Sequence, residues 1–306
     1  VKQTIVTKKE AWLHAVRLRT LPLALASIFG GSFLAAYYGV FRWEILLLAS
    51  LTTIFLQILS NLSNDYGDTI HGADHQERQG PVRAVQSGLI SLTEMKRAMY
   101  LFGVLALISG LLLLYVAVQD WVLFGMFLAL GMAAIWASIS YTSGSNPYGY
   151  AGLGDISVFL FFGLLGVFGT YYLHSLTWND AIIWIGIALG LFSAAVLNIN
   201  NIRDIESDSI AGKKSIPVRI GKNAAIIYNW CLILGGNYCL LMFAYVTNEW
   251  TSLLALVIFP IMVKVGLAVQ KGTDSKEIDP NLKKMAVSTL AWVILFGIGL
   301  VFLAKS

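Results

Sequence analysis

Charge is scarce in this sequence. Only 12% of its 306 residues are charged, against 57% hydrophobic, and the mean hydropathy is +0.72. A water-soluble domain carries about a quarter of its residues as charges, so these numbers exclude one and point to a membrane protein. Cysteine is nearly absent. Cys231 and Cys239 stand eight apart in one expected helix, too distant along its axis for a disulfide, which leaves both as core filler. Histidine is scarce too. His14, His71, His75 and His174 lack metal-ligand spacing and are expected at the surface or in loops, with His71 and His75 as lesser candidates for a site. Period-two alternation is missing from the apolar runs, which excludes a barrel. No cleavable leader is expected, because the first eleven residues are polar and the first apolar run has no clear small-residue cleavage site.

What is present is a series of long apolar runs. A roughly 30 Å hydrocarbon core needs about 20 such residues, and nine runs qualify: approximately 21–40, 43–60, 98–118, 121–142, 154–173, 180–199, 223–246, 251–270 and 286–304. The fold class expected is all-α, a polytopic membrane protein. Residues 12–19 (WLHAVRLR) read as an interfacial helix leading into the first run. Basic residues fall on alternate connections. One side holds Lys2, Lys8, Lys9, Arg17 and Arg19, then Arg78, Arg83, Lys96 and Arg97, then Arg203, Lys213, Lys214, Arg219 and Lys222, then Lys271, Lys276, Lys283 and Lys284; the other has only Arg42 and Lys305. The positive-inside rule makes the first side cytoplasmic, with the amino terminus inside and the carboxyl terminus outside. Trp43, Trp121, Trp178 and Trp250 mark the outer boundary, and the longer, Gly-rich cytoplasmic connections are where chemistry is expected.

The most unusual of these connections is NLSNDYGDTIHGADHQERQGPVR, residues 61–83. Asp65, Asp68 and Asp74 stand too close together for a lipid-facing helix unless a cation partners them. If the preceding helix continues, Asp65 and Asp68 share a face, with Asn61 and Asn64 a turn or less behind. Oxygen-only ligands of this kind suit Mg²⁺. Arg78, Gly80, Pro81 and Arg83 add positive charge at a tight turn, as an anionic ligand requires. A second cluster ends the sixth run: Asn198, Asn200, Asn201, Arg203, Asp204 and Asp208, then Gly212, Lys213, Lys214 and Arg219. Asp204 and Asp208, four apart, are expected on one helical face. Asn61, Asn64 and Asp68 recur as Asn198, Asn201 and Asp204, four runs later and on the same side. Internal duplication accounts for this: one membrane domain over 1–306, with runs 1–4 (about 20–142) echoed by runs 5–8 (about 154–270) and a ninth, 286–304, appended.

Two such clusters facing each other could hold two Mg²⁺ ions and, with Arg and Lys, clamp a diphosphate. A diphosphate head at the mouth of an apolar bundle implies a greasy remainder, a polyprenyl diphosphate. Cations there would stabilise charge growing on the leaving diphosphate. The allylic cation left behind needs a dry cavity, with aromatic faces such as Tyr141, Phe159, Phe161, Phe162 and Tyr171 as its lining. An electron-rich acceptor would then be alkylated. Arg19 is placed either to snorkel to headgroups or to point into a cytoplasmic pocket. Residues 141–155 (YTSGSNPYGYAGLGD) hold no Lys or Arg, and their lone Asp155 is either a helix N-cap or an acid facing a shared cavity.

Asn64-Asp65-x-x-Asp68 with Asp74 beyond, and Asp204-x-x-x-Asp208 at the end of the sixth of nine runs, resemble the UbiA-type intramembrane aromatic prenyltransferase superfamily over essentially the whole chain. RLRTLPLA, NDYGDTIHGAD with GPVRAVQSG, NPYGYAGLGD and NNIRDIESDSIAGKKSIPVRIG are most similar to its 1,4-dihydroxy-2-naphthoate branch. The resemblance implies a nine-helix bundle around a central cavity that opens to lipid, under a cytoplasmic cap, in the bacterial cytoplasmic membrane. It implies transfer of a polyprenyl chain from polyprenyl diphosphate to dihydroxynaphthoate, with loss of CO₂ and diphosphate, giving demethylmenaquinone. Asn64, Asp65, Asp68, Asn201, Asp204 and Asp208 become the Mg²⁺ and diphosphate site, with Asp74 a further candidate. Arg83, Lys213, Lys214 and Arg219 go to the diphosphate oxygens, and Arg19, Tyr141 and Asp155 to the acceptor. Asp74 falls two residues later than the common spacing, a family Tyr-x-x-x-Lys has Ser145 in place of its lysine, and Ser215, Ile216 and Pro217 replace a Thr-Leu-small run.

Two alternatives stay open on these residues. A sister enzyme could use another aromatic acceptor such as 4-hydroxybenzoate, because cavity shape rather than motif selects it. A cation-coupled transporter could use the carboxylates instead, although transport sites sit near the midplane on broken helices and these acids lie at helix ends.

Overall fold

A computed structural model of the chain describes residues 7–71 and 84–304. Asp74, His75, Arg78, Gly80, Pro81 and Arg83, like Lys2 and Lys305, lie outside the described residues. Nine helices among the described residues are long and apolar enough to cross a bilayer: span 1, Lys8–Tyr37; span 2, Trp43–Ile70; span 3, Leu92–Ala117; span 4, Trp121–Ser140; span 5, Gly154–Ser175; span 6, Ile182–Arg203; span 7, Lys222–Thr247; span 8, Trp250–Lys271; span 9, Ser275–Leu303. No strand occurs among the described residues.

The helix ends follow local chemistry. Capping boxes start spans 1 and 3, where Thr7 and Ser91 exchange bonds with Glu10 and Glu94. Asp120 and Asp274 cap spans 4 and 9 by accepting from the Leu123 and Glu277 N–H groups. Span 1 is not continuous. A first helix, Lys8–Val16, ends at Arg17 in a left-handed conformation (φ 52°), and a turn at Leu18–Thr20 leads into Leu21–Tyr37. Span 5 widens into a π-helical stretch over Phe159–Gly169. Span 6 packs closely on it, since a Cβ on Gly163 would lie 2.6 Å from the Gly186 carbonyl oxygen.

The core is concentrated in the second half. Span 6 is buried over most of its length, and Phe192 meets Trp292 of span 9 edge-on at 5.4 Å. Trp292 stacks on Phe296, which meets Phe243 of span 7. The Trp292 indole donates to Asn237 at 3.3 Å, so the polar atom of this buried ring is satisfied. Span 4, by contrast, is almost wholly exposed on its outer face.

Several boundaries differ from the hydropathy reading. Span 2 runs ten residues past its apolar stretch, carrying Asp65 and Asp68 on helix, and span 6 likewise runs on to Arg203. Span 9 starts at Ser275 rather than near 286. Its first turns carry Lys276, Glu277, Asp279, Lys283 and Lys284, which cost nothing in a segment that reaches beyond hydrocarbon but erase its hydropathy signal. His174, expected at the surface or in a loop, is buried near the end of span 5: its Nδ1 accepts from the Arg42 N–H at 3.1 Å and its Nε2 meets Ser32 Oγ at 3.1 Å.

Candidate active site

The polar end of span 2 is anchored before it is chemically useful. Asn61 donates to the Val16 carbonyl at 2.9 Å and to Thr20 Oγ1 at 3.0 Å, tying span 2 to the break in span 1. Asn198 does the same for span 6, donating to the Ala225 carbonyl of span 7 at 2.9 Å. The repeated asparagines one turn before each acidic motif are therefore helix fasteners. Asn64, a turn further on, accepts from Thr142 Oγ1 at 3.1 Å.

Four carboxylates follow, and all are buried: Asp65 is 1% exposed, Asp68 2%, Asp204 5% and Asp208 9%. Asp65 accepts from the Ala84 and Val85 N–H groups at 3.0 and 3.4 Å. Asp68 accepts from the Tyr150 phenol at 3.0 Å and from Lys213 Nζ at 3.0 Å. The same ammonium lies 3.6 Å from Asp208 and 4.8 Å from the centre of the Tyr150 ring. Lys213 thus joins the acid motif of span 2 to the one beyond span 6. Span 6 ends at Arg203, and Asp204 (φ −100°, ψ 11°) is the joint to a short helix, Ile205–Ile210, that carries Asp208.

Both motifs open on one cavity of about 870 Å³. Its polar end is lined by Asn64, Asp65, Asp68, Asn201, Asp204, Asp208 and Lys213, with Arg19, Tyr141 and Asp155 also on its wall. Its other walls are apolar, including Leu107, Leu111, Leu114, Leu128, Phe161 and Phe162. Phe159 and Tyr171, expected as lining, are turned elsewhere: Phe159 packs on Gly190, and Tyr171 meets Tyr38 edge-on. Lys214 and Arg219 do not line the cavity either. Both are exposed, the Lys214 N–H donates to the Tyr150 carbonyl, and the Arg219 guanidinium donates to the Ala151 carbonyl at 2.5 Å. Arg83 and Asp74 are outside the described residues.

Asp155 sits in the first turn of span 5, whose N-cap is Leu153, and its carboxylate accepts from the Tyr228 phenol at 3.3 Å. It is a buried acid on the cavity wall rather than a cap. Burial, and then the charge of Asp155, push the Tyr141 phenol well above its ordinary pKa, so it stays protonated and keeps a hydrogen to donate. Arg19 Nη1 lies 3.3 Å from Asp279 of span 9.

The donors present fit a hard divalent cation. They are oxygens only, and among the described residues no three His, Cys, Asp or Glu side chains stand close enough to cage an ion. Mg²⁺ is held in this way, by one or two carboxylates and completed by substrate phosphates rather than by an all-protein cage.

The sequence profile of the UbiA prenyltransferase family matches residues 24–290. The chain belongs to that family. It is 43% identical to the 1,4-dihydroxy-2-naphthoate octaprenyltransferase of Haemophilus influenzae over 98% of both chains. Against the Escherichia coli protein of the same description it is also 43% identical, over 98% of this chain and 97% of that one. Among solved structures, an apo UbiA homologue from Aeropyrum pernix aligns with a TM-score of 0.64 at 17% identity, covering 90% of this chain and 96% of that one. A UbiA homologue from Archaeoglobus fulgidus, solved with GPP and Mg²⁺, gives 0.61 at 16% identity, covering 95% and 99%. At that identity the likeness is one of fold. This UbiA-family chain is an integral membrane protein.

Sequence reading missed several residues that shape the site of this UbiA-family chain. Tyr228 and Thr142 carried no charge to mark them, and Asp279 sat in what read as a loop. Arg203 was placed in the second cluster but given no role, yet it is buried against Asp204. Its position beside an acid at the end of an apolar run was the available signal.

Proposed function

We propose that this chain transfers a polyprenyl group from polyprenyl diphosphate to 1,4-dihydroxy-2-naphthoate, with loss of diphosphate and CO₂, giving the reduced product, demethylmenaquinol. The observation that carries this reading is the convergence of Asp68 and Asp208 on one ammonium, Lys213, at the polar end of an otherwise apolar cavity. The description of the relatives that match end to end supports the choice of acceptor.

In this reading Asn64, Asp65, Asp68, Asn201, Asp204 and Asp208 hold two Mg²⁺ ions with the diphosphate. Mg²⁺, when bound, supplies Lewis-acid stabilisation of the departing diphosphate. Lys213 adds a charge that need not be reorganised as the allylic C–O bond breaks and its electron pair leaves with the diphosphate. The leucine-rich walls and Phe161 and Phe162 exclude water from the allylic cation. Asp155 accepts a hydrogen bond from an acceptor hydroxyl and raises electron density on the ring, while Tyr141 donates and Arg19 faces the acceptor carboxylate. A ring carbon gains the prenyl group, and the carboxylate leaves as CO₂ with its bonding pair retained by the ring. Lys214 and Arg219, exposed on the segment that follows Lys213, add further positive charge for the diphosphate. The basic connections support a reading with this end of the bundle on the cytoplasmic side of a bacterial cytoplasmic membrane, the amino terminus inside and the carboxyl terminus outside.

The test is product formation by the detergent-solubilised chain. Dihydroxynaphthoate, a polyprenyl diphosphate and Mg²⁺ are expected to yield diphosphate, CO₂ and a prenylated quinol, each identified by mass spectrometry or ¹⁴C release. Turnover with 4-hydroxybenzoate but not dihydroxynaphthoate would reassign the acceptor. Asp68→Ala and Asp204→Ala are expected to abolish turnover while leaving the yield of folded protein unchanged, because their contribution is specific to the transition state.

A further inference from the structure

We propose that Asp279 is a positioning residue of this reaction: acting through Arg203, it sets the Asp204 carboxylate for the divalent cation. The inference rests on the metal site described above and extends it to span 9, where no acidic motif had been read.

Arg203 is a cation in the cavity wall with only 4% exposure, so its charge has to be met by fixed partners. Three edges of the guanidinium are used. Nε and Nη2 lie 2.8 and 2.5 Å from the two oxygens of Asp204, Nη2 also lies 2.9 Å from Asn200 Oδ1, and Nη1 lies 2.5 Å from Asp279 Oδ1. A planar fork held on both sides cannot rotate, so it fixes whatever carboxylate it grips. Asp204 needs this. It sits where helix geometry has lapsed between span 6 and the short helix after it, so no helical rotamer aims its carboxylate.

Asp279 is well placed to hold the far side of the fork. It is in the second turn of span 9, and Ser275 of the first turn donates to the Arg203 carbonyl at 2.9 Å. Span 9 therefore grips Arg203 by both backbone and side chain. Asp279 also takes Arg19 Nη1 at 3.3 Å, so one carboxylate spans two guanidinium groups. The charges divide accordingly. With Asp279 present, two arginines face two acids, and Arg203 is shared rather than spent on Asp204 alone. Without it, Arg203 and Arg19 leave a net positive charge beside Asp204, the fork turns wholly to that carboxylate, and an incoming divalent cation meets both competition and repulsion.

The experiment is a titration of the solubilised full-length chain with Mn²⁺ in the presence of inorganic diphosphate, followed by the EPR signal of free Mn²⁺. Asp279→Asn is expected to raise the half-saturating Mn²⁺ concentration about 10-fold or more, the usual size of an effect from a residue behind a metal ligand. Asp279→Glu, which keeps the charge, should return it most of the way to wild type. In turnover, the Asp279→Asn defect should shrink as Mg²⁺ is raised to saturation, whereas a merely structural defect would lower kcat at every Mg²⁺ concentration. Wild-type Mn²⁺ affinity in Asp279→Asn overturns the proposal. If that variant does not accumulate as folded protein, Arg203→Lys decides, since an ammonium lacks the planar fork that grips both oxygens of Asp204 while holding Asp279, and unaltered Mn²⁺ affinity there overturns it equally. Asp68→Ala separates the two layers of inference. Loss of Mn²⁺ binding in Asp68→Ala with none in Asp279→Asn removes only the role of Asp279, while absence of binding in the wild type removes the metal site itself.

Discussion

Lys213 is a single ammonium shared by two acids that are 140 residues apart in sequence, Asp68 and Asp208. Removing it leaves two buried carboxylates repelling each other and takes a fixed positive charge from the end of the cavity proposed to hold the diphosphate. A hydrogen bond to a charged group contributes about 1.5–3 kcal/mol, so Lys213→Met is expected to lower kcat/KM by about 10- to 100-fold. Steady-state kinetics at saturating Mg²⁺ check this, with Lys214→Met as the comparison. The exposed Lys214 should be the milder of the two, and the reverse order would show that the loop turns over when substrate binds. The acids were legible because charge is so rare in this chain that each carboxylate near an apolar run demands a partner. Which of two adjacent lysines turns inward was not. That depends on the left-handed turn at Gly212 (φ 71°), after which Lys213 N–H bonds back to Asp208 and Lys214 N–H crosses to Tyr150. Nothing in Lys-Lys encodes a direction.

Elements meet closely where span 2 passes the connection between spans 4 and 5. Gly67 lies between Asp65 and Asp68, and a Cβ there would come within 2.6 Å of the Thr142 carbonyl carbon and 2.7 Å of Thr142 Oγ1. Thr142 in turn donates to the Ser63 carbonyl at 3.0 Å and to Asn64 at 3.1 Å. The acid motif and the tyrosine-bearing loop are thus one packed unit, closed by the Tyr150 bond to Asp68. Gly67→Ala must push this loop away. Overpacking of this kind costs about 1–3 kcal/mol, and the expected outcome is a lower Tm together with lost activity that added Mg²⁺ does not restore. An unchanged Tm would mean that the loop yields without cost. Hydropathy located these elements but not their ends. Span 2 outlasts its apolar residues because Asn61, Asp65 and Asp68 each find a bonding partner on the protein side, a gain that a sliding average cannot register. Span 9 was cut short for the complementary reason, its first turns carrying the lysines and acids of a segment outside hydrocarbon.

At the scale of the molecule, the number of spans followed from length and apolarity, but their packing order could not. In lipid the outward face of a helix is as apolar as its inward face, so Phe192, Phe243 and Trp292, which interlock, read in sequence like Trp121, Trp136 and Tyr245, which face outward. What distinguishes the halves is the cavity between them, with Asp65 and Asp68 entering from span 2 and Asp204 and Asp208 from beyond span 6. A ligand held by both sets joins the halves, and binding to the folded chain alone stabilises it by mass action, about 2.7 kcal/mol at 100 times Kd. Mg²⁺ with inorganic diphosphate is therefore expected to raise Tm in a concentration-dependent way that EDTA reverses, and neither component alone should reproduce the full shift. Because the two acid sets belong to different halves, Asp68→Ala and Asp204→Ala should each remove most of the shift by themselves. If either variant kept the whole shift, the ion would be held by one half, and the two motifs would not form a single site.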